Sequence, residues 1–126
     1  MDIEVQALTT YSVADDGQSV ALGLKDTAGN NATLRMKICE LGNLVMTLPS
    51  VIETALRRRY RDVSLRYTYP LGAWRVEASS DPGHVIVTLG TEDGFGVSFS
   101  VPRARAGELG AAISSSVRQK THVLAH

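Results

Sequence analysis

Apolar residues recur along this chain at a fixed spacing, without a gap, and that recurrence constrains the fold more than any other feature. Laying residues 7–54 over residues 72–119 pairs Val20 with Val85, Leu22 with Val87, Leu24 with Leu89, Ala32 with Val97, Leu34 with Phe99 and Met36 with Val101. The same overlay makes Asp16/Asp81, Gly29/Gly94, Gly42/Gly107, Leu44/Leu109 and Ser50/Ser115 identities. Identities of this number carry little weight. The shared apolar phase carries more, because a one-residue slip would move every strand side chain to the opposite face. The expectation is a duplicated unit; the alternative is two generic hairpin-plus-helix segments of equal length.

Each half reads as three strands and a helix. Val20, Leu22 and Leu24 alternate with smaller or polar residues. Ala32, Leu34, Met36 and Ile38 oppose Asn31, Thr33, Arg35 and Lys37, and Val97, Phe99 and Val101 oppose Gly96, Ser98 and Ser100. Period two with one apolar face describes half-buried antiparallel strands. The strands are separated by "ADDGQS" and "DTAGNN" in the first half and by "SSDPGH" and "TEDGFG" in the second, all rich in turn formers. The first strand of each half slips phase, near Leu8 and at Pro70-Leu71-Gly72, as a β-bulge or corner would require. Val63, Leu65, Tyr67 and Tyr69 alternate ahead of that second slip and read as part of a bent strand continuing through Trp74, Val76 and Ala78.

After the third strand the period lengthens. Leu41, Leu44, Leu48, Ile52, Leu56 and Tyr60 form one helix stripe, and Ala106, Leu109, Ile113 and Val117 another. Pro49 is expected to kink or divide the first helix, with Ser50-Val51-Ile52-Glu53 as a capping box for a fresh start. A short strand over residues 44–48 is the alternative. Pro102 stands near the start of the second helix, where a missing N–H costs little.

A three-stranded sheet with one helix leaves edges and apolar surface uncovered. The expected fold is therefore α+β: two βββα repeats, residues 1–61 and 62–121, related by a pseudo-twofold axis. They share a mainly antiparallel sheet with both helices on one face, in a single domain over 1–121 with a flexible tail over 122–126. A chain of 126 residues is long enough to bury a core without staples.

Thirteen basic and thirteen acidic residues cancel, so no global field draws the chain to nucleic acid or to an anionic membrane. Cys39 is the one cysteine, which excludes an intramolecular disulfide and reads most simply as a buried, inert thiol. The acidic, alternating start Met1-Asp2-Ile3-Glu4 is unlike a signal peptide, and no run approaches the length of a membrane helix. The expected location is the cytoplasm.

No constellation for catalysis, metal or cofactor stands out. His84 falls in a turn, and His122 and His126 in the expected tail. Asp15-Asp16 and Glu92-Asp93 sit at hairpin tips, where solvation accounts for them better than paired acid–base chemistry. The expectation is no catalytic, cofactor-binding or metal residue. The unusual segment is "RRRYRDVSLRYTYPLGAWR", residues 57–75, with six arginines against Asp62 and four of the chain's seven aromatics. Arg57, Arg58, Arg61, Arg66, Tyr60, Tyr69, Trp74 and Arg75 form a candidate interaction surface, since Arg, Tyr and Trp dominate protein–protein hot spots. The same composition grips single-stranded nucleic acid. A purely structural explanation also serves: cations complement a helix C-terminus, and alternation turns the tyrosines inward.

The stretch "TEDGFGVSFSVPRARAGELGAAI" resembles the ending of short uncharacterised bacterial proteins of alphaproteobacterial type, a Gly-turn hairpin running into a helix. That resemblance implies no activity. The expected function is a non-enzymatic binding or protein-interaction module, a homodimer. RNA or single-stranded DNA binding through 57–75 is the alternative, and an enzyme with an unidentified site between the repeats a third.

Overall fold

The structure is a computed structural model describing residues 1–124, with the side chains of residues 1–119. Its elements run β1 (Val5–Val13), β2 (Ser19–Asp26), β3 (Asn31–Lys37), α1 (Ile38–Tyr60), β4 (Ala73–Ala78), β5 (His84–Gly90), β6 (Gly96–Pro102) and α2 (Arg103–Leu124). The fold is α+β in a βββα–βββα order, as the periodicities require. The chain divides into two compact units, Met1–Tyr67 and Thr68–His126.

The expected single sheet is corrected. The strands form two separate three-stranded antiparallel sheets, β1-β2-β3 and β4-β5-β6. Each strand pairs with its sequence neighbour because two-to-five-residue turns bring those edges together first. Alternation marks a strand's faces but says nothing about which edge will meet which.

In the first unit β2 pairs with β1 as Leu8↔Leu24, Tyr11↔Leu22 and Val13↔Val20. On its other side β2 meets β3 as Ala32↔Leu24, Leu34↔Leu22 and Met36↔Val20. The phase slip near Leu8 is visible as register shifts between Val5 and Ala7 and between Leu8 and Thr10. Gly23 lies where β1 comes closest: a Cβ there would stand 2.7 Å from Thr10 Cγ2 and 2.9 Å from Thr9 Oγ1. In the second unit β5 takes Trp74↔Leu89, Val76↔Val87 and Ala78↔Val85 from β4, and Val97↔Leu89, Phe99↔Val87 and Val101↔Val85 from β6.

The turns repeat their hydrogen bonds at matching positions. Asp16 Oδ1 accepts from the Gln18 N–H at 3.0 Å, and Asp81 Oδ1 from the Gly83 N–H at 3.0 Å. Such Asx turns hold the chain reversal by capping the backbone two residues on. The Asp26 N–H donates to the Asn30 carbonyl at 2.9 Å and the Thr91 N–H to the Phe95 carbonyl at 2.8 Å, around Gly29 (φ 88°) and Gly94 (φ 103°).

Four further expectations change. Residues 61–72 form no strand: the Tyr67 N–H goes to Glu53 rather than to a strand edge, and β5 is met only at Gly72, whose N–H donates to the Gly90 carbonyl at 2.8 Å. Ile38 leaves β3 to become the first residue of α1, and Pro49 lies inside that helix without dividing it, so residues 44–48 are helical and Ser50 starts nothing. Thr47 Oγ1 donates to the Asn43 carbonyl at 2.8 Å just ahead of the proline. Cys39 is exposed rather than buried, since α1 carries no buried residue to enclose it. Of the tail expected over 122–126, the α2 backbone is described to Leu124 and residues 125–126 lie outside the described residues.

Candidate interaction surfaces

Pairing places opposed residues on one face of a sheet, so each unit carries a face of nine apolar side chains. In the first unit it comprises Leu8, Tyr11 and Val13, then Val20, Leu22 and Leu24, then Ala32, Leu34 and Met36. Only Val20 and Leu24 are buried; Leu8 and Tyr11 are 73% and 76% exposed. The second unit sets Trp74, Val76 and Ala78 beside Val85, Val87 and Leu89, with Val97, Phe99 and Val101 completing the face. Trp74 is 71% exposed, and Val76 and Phe99 are exposed as well. The opposite face is polar except at Ile86: Thr88 and Ser98 share a hydroxyl hydrogen bond of 2.7 Å, and Arg75 Nε lies 3.1 Å from Glu77 Oε1.

α1 meets its sheet at β3, and α2 meets β5 and β6. Each follows its strand with no connecting residue, Lys37 to Ile38 and Pro102 to Arg103. The Ile38 N–H donates to the Gln18 carbonyl at 3.0 Å, and the Arg103 N–H to the Gly83 carbonyl at 2.9 Å, fixing each helix start to the turn at the sheet's end. Reversal from strand to helix in α/β proteins ordinarily takes 2–6 residues. Val45, Met46, Leu48 and Val51 of α1 are exposed, as are Leu109 and Ile113 of α2, whereas Leu41, Leu44, Ile52 and Leu56 are half-buried. α2 leans on its sheet through Arg105 and Leu109, which with Val87, Phe99 and Val101 line an open trough of about 500 Å³.

The segment 57–75 is placed differently from the single surface its composition suggests. Its residues fall in two units: Arg57, Arg58, Tyr60, Arg61 and Arg66 in the first, Tyr69, Trp74 and Arg75 in the second. Arg57 is half-buried, donating from Nη2 to Glu53 Oε1 at 2.6 Å and from Nε to the Leu65 carbonyl at 2.9 Å. Glu53 Oε2 accepts the Tyr67 N–H at 3.0 Å. The pair thus clasps residues 62–67 along α1, supplying hydrogen bonds that a strand partner would otherwise provide. That Tyr67 N–H holds the Glu53 carboxyl below its ordinary proton affinity; partial burial opposes this, and the Arg57 and Arg66 charges reinforce it. Asp62 is likewise lowered, first by the Ser64 hydroxyl and then by the Ser64 N–H.

Arg58 and Arg61 are exposed at the end of α1, and the Arg59 guanidinium lies 5.3 Å from the Tyr60 ring centre. Arg61 closes the helix in the left-handed region (φ 52°), its N–H and that of Asp62 both donating to the Arg57 carbonyl. Sequence reading missed this cap because the usual signal, glycine, is replaced by arginine. Tyr69 packs on Phe95 with ring centres 4.7 Å apart. Beside them Leu71, Gly72, Glu92 and Asp93 border an open groove of about 540 Å³.

Among the described residues, no three or more His, Cys, Asp or Glu side chains gather as metal ligands would. Among the same residues, no helix is long and apolar enough to cross a membrane. Comparison with protein-family models, with curated proteins and with solved structures found no match to this chain.

Proposed function

We propose that the protein is a non-enzymatic protein-interaction module that works as a homodimer in the cytoplasm. Its contact surfaces on this reading are the apolar sheet faces, with Trp74 on one and Tyr11 on the other. The observation that carries it is the pair of nine-residue apolar faces on which Leu8, Tyr11, Trp74, Val76 and Phe99 stand exposed. Contiguous apolar surface beyond a few hundred Å² is rare on monomers and marks association sites. The groups with lowered proton affinity, Glu53 and Asp62, hold backbone amides in place, a structural task rather than a catalytic one.

The test uses the sole tryptophan. Iodide quenching of Trp74 is measured alongside the mass of the same sample. Trp74 shielded in a species of twice one chain's mass supports the reading, and a species of one chain's mass with Trp74 open to iodide overturns the homodimer. Trp74 shielded in a species of one chain's mass overturns it.

A second reading, contact with RNA or single-stranded DNA, rests on the exposed Arg58, Arg59, Arg61 and Arg66 of the first unit. The aromatics of segment 57–75 support it less well: Tyr69 packs on Phe95 and Trp74 belongs to the second sheet. Oligonucleotide affinity that falls steeply between low and moderate salt favours this reading; affinity that is absent or flat in salt removes it.

A further inference from the structure

The two sheets have four outer edges, and three of them are guarded. β1 takes register shifts against β2, β3 carries Arg35 and Lys37, and β4 carries Arg75 and Glu77. Bulges and charges are the usual means of keeping an outer strand from pairing with another chain. β6 has neither. Its residues Gly96 to Ser100 are uncharged and exposed, and its register with β5 runs unbroken from Gly90↔Gly96 to His84↔Pro102. Where β3 sets Thr33, Arg35 and Lys37, the 65-residue overlay puts Ser98, Ser100 and Pro102 of β6.

The backbone groups of β6 that face this edge are fixed from both ends of its ladder. The Thr91 N–H donates to the Phe95 carbonyl at 2.8 Å, and the Arg103 N–H to the Gly83 carbonyl at 2.9 Å. Hydrogen-bonded pairs alternate along an antiparallel ladder. Val97, Phe99 and Val101 therefore bond to β5, while Gly96, Ser98 and Ser100 turn their N–H and carbonyl groups outward. The 2.7 Å hydroxyl bond between Thr88 and Ser98 agrees, because non-hydrogen-bonded pairs bring their side chains closest. Gly90, opposite Gly96, likewise turns its carbonyl away from β6, to the Gly72 N–H at 2.8 Å. Among the described residues β6 pairs with β5 alone, so no strand takes those outward groups. Pro102 has no N–H and ends the row.

We infer that this edge pairs with the same edge of a second copy, antiparallel about a twofold axis through Ser98. In that register Ser98 exchanges both hydrogen bonds with Ser98 of the other copy, and Gly96 does so with Ser100. Every outward group of both strands is then satisfied. Sliding one strand by two residues instead sets outward groups against Pro102 or against the turn at Gly94. On the apolar face Val97 comes to lie beside Phe99 of the other copy, an aromatic–β-branched pair of the kind that stabilises sheets. One sequence supplies both sides, so the contact is self-complementary and closed. It uses neither apolar face. One short strand against another is a smaller, more transient contact than a face, and it adds to the homodimer proposed above without depending on it.

Covalent trapping reads the register. The full chain with Cys39→Ser, which removes the exposed native thiol, receives Ser98→Cys, Ser100→Cys or Thr33→Cys and is mildly oxidised at high protein concentration. Opposed Cα atoms of a hydrogen-bonded pair are about 5.5 Å apart, within disulfide reach. The two Ser100 positions stand four residues out of step, about 14 Å. Ser98→Cys should therefore cross-link several-fold faster than Ser100→Cys, and than Thr33→Cys on the guarded β3 edge. Trapping that is no faster than in these two overturns the pairing. The unmodified chain gives a second reading: amide exchange at Gly96, Ser98 and Ser100 should slow several-fold more than at Thr33 and Arg35 as protein concentration rises. No such difference also overturns it. Trp74 keeps the two claims apart. Trp74 open to iodide in a chain that traps through Ser98→Cys ends the face contact and leaves the edge standing; Trp74 shielded without trapping does the reverse.

Discussion

The amide of Ile38 donates to the carbonyl of Gln18 at 3.0 Å, so the first residue of α1 is fastened to the turn between β1 and β2. Arg103 and Gly83 repeat the bond at 2.9 Å in the second unit. These contacts, with the loopless strand-to-helix junctions, fix where each helix starts relative to its sheet.

Lengthening a junction should therefore change the assembly. Inserting Gly-Ser-Gly-Ser between Pro102 and Arg103 and between Lys37 and Ile38 supplies the reversal that 2–6 residues allow. The expected outcome is a shift from the double mass to the single-chain mass in light scattering, with helix content retained by circular dichroism. A double mass unchanged by both insertions would show that the junctions do not limit what the helices cover.

Leu24 and Leu8 face one another across β2 and β1 but differ in exposure, 8% against 73%. Leu24→Ala should lower unfolding stability by about 2–3 kcal/mol at every protein concentration, the ordinary cost of a truncated core leucine. Leu8→Ala should cost under about 0.5 kcal/mol in an isolated chain, as for other surface positions. In the proposed dimer its cost should exceed about 1 kcal/mol, since there it is buried as a core residue. The midpoint of urea unfolding should also move with protein concentration.

Glu53 predicts a pH dependence with a definite sign. Its folded proton affinity is below the ordinary carboxylate value of 4.5. Its contribution is therefore complete above that pH and is lost as pH falls through the lower folded value. The Tyr67 amide resonance should titrate with a midpoint below 4.5, and Glu53→Gln should abolish the titration. A Tyr67 amide indifferent to pH in that window would mean the clasp does not form in solution.

Arg61 holds a left-handed backbone without being glycine. Arg61→Gly should stabilise the first unit by about 1 kcal/mol, because an L side chain at positive φ costs about that much. Urea titration would check it, and a loss of stability would indicate that the Arg61 side chain has a role of its own.

Much of the local structure was legible in the sequence. Val20, Leu22 and Leu24 and their counterparts Val85, Val87 and Leu89 announce their faces by alternation, because successive strand side chains point to opposite sides whatever the partner. The bulges near Leu8, the reversals at Asp16 and Asp81, and the helix stripes through Leu44 and Leu109 are equally local. Val63, Leu65, Tyr67 and Tyr69 alternate just as cleanly, yet form no strand. A strand exists only where another edge accepts its hydrogen bonds, and here Glu53 and Arg57 take the backbone at Tyr67 and Leu65 instead. The candidate segment 57–75 was likewise visible as composition, whereas its division between two units was not. Tertiary structure alone decided that the six strands make two sheets, and that Leu48, Leu109 and Ile113 stay exposed while Leu41, Leu44, Ile52 and Leu56 are half-buried. Both outcomes depend on which edges and surfaces meet in space, a long-range property that period and composition do not encode.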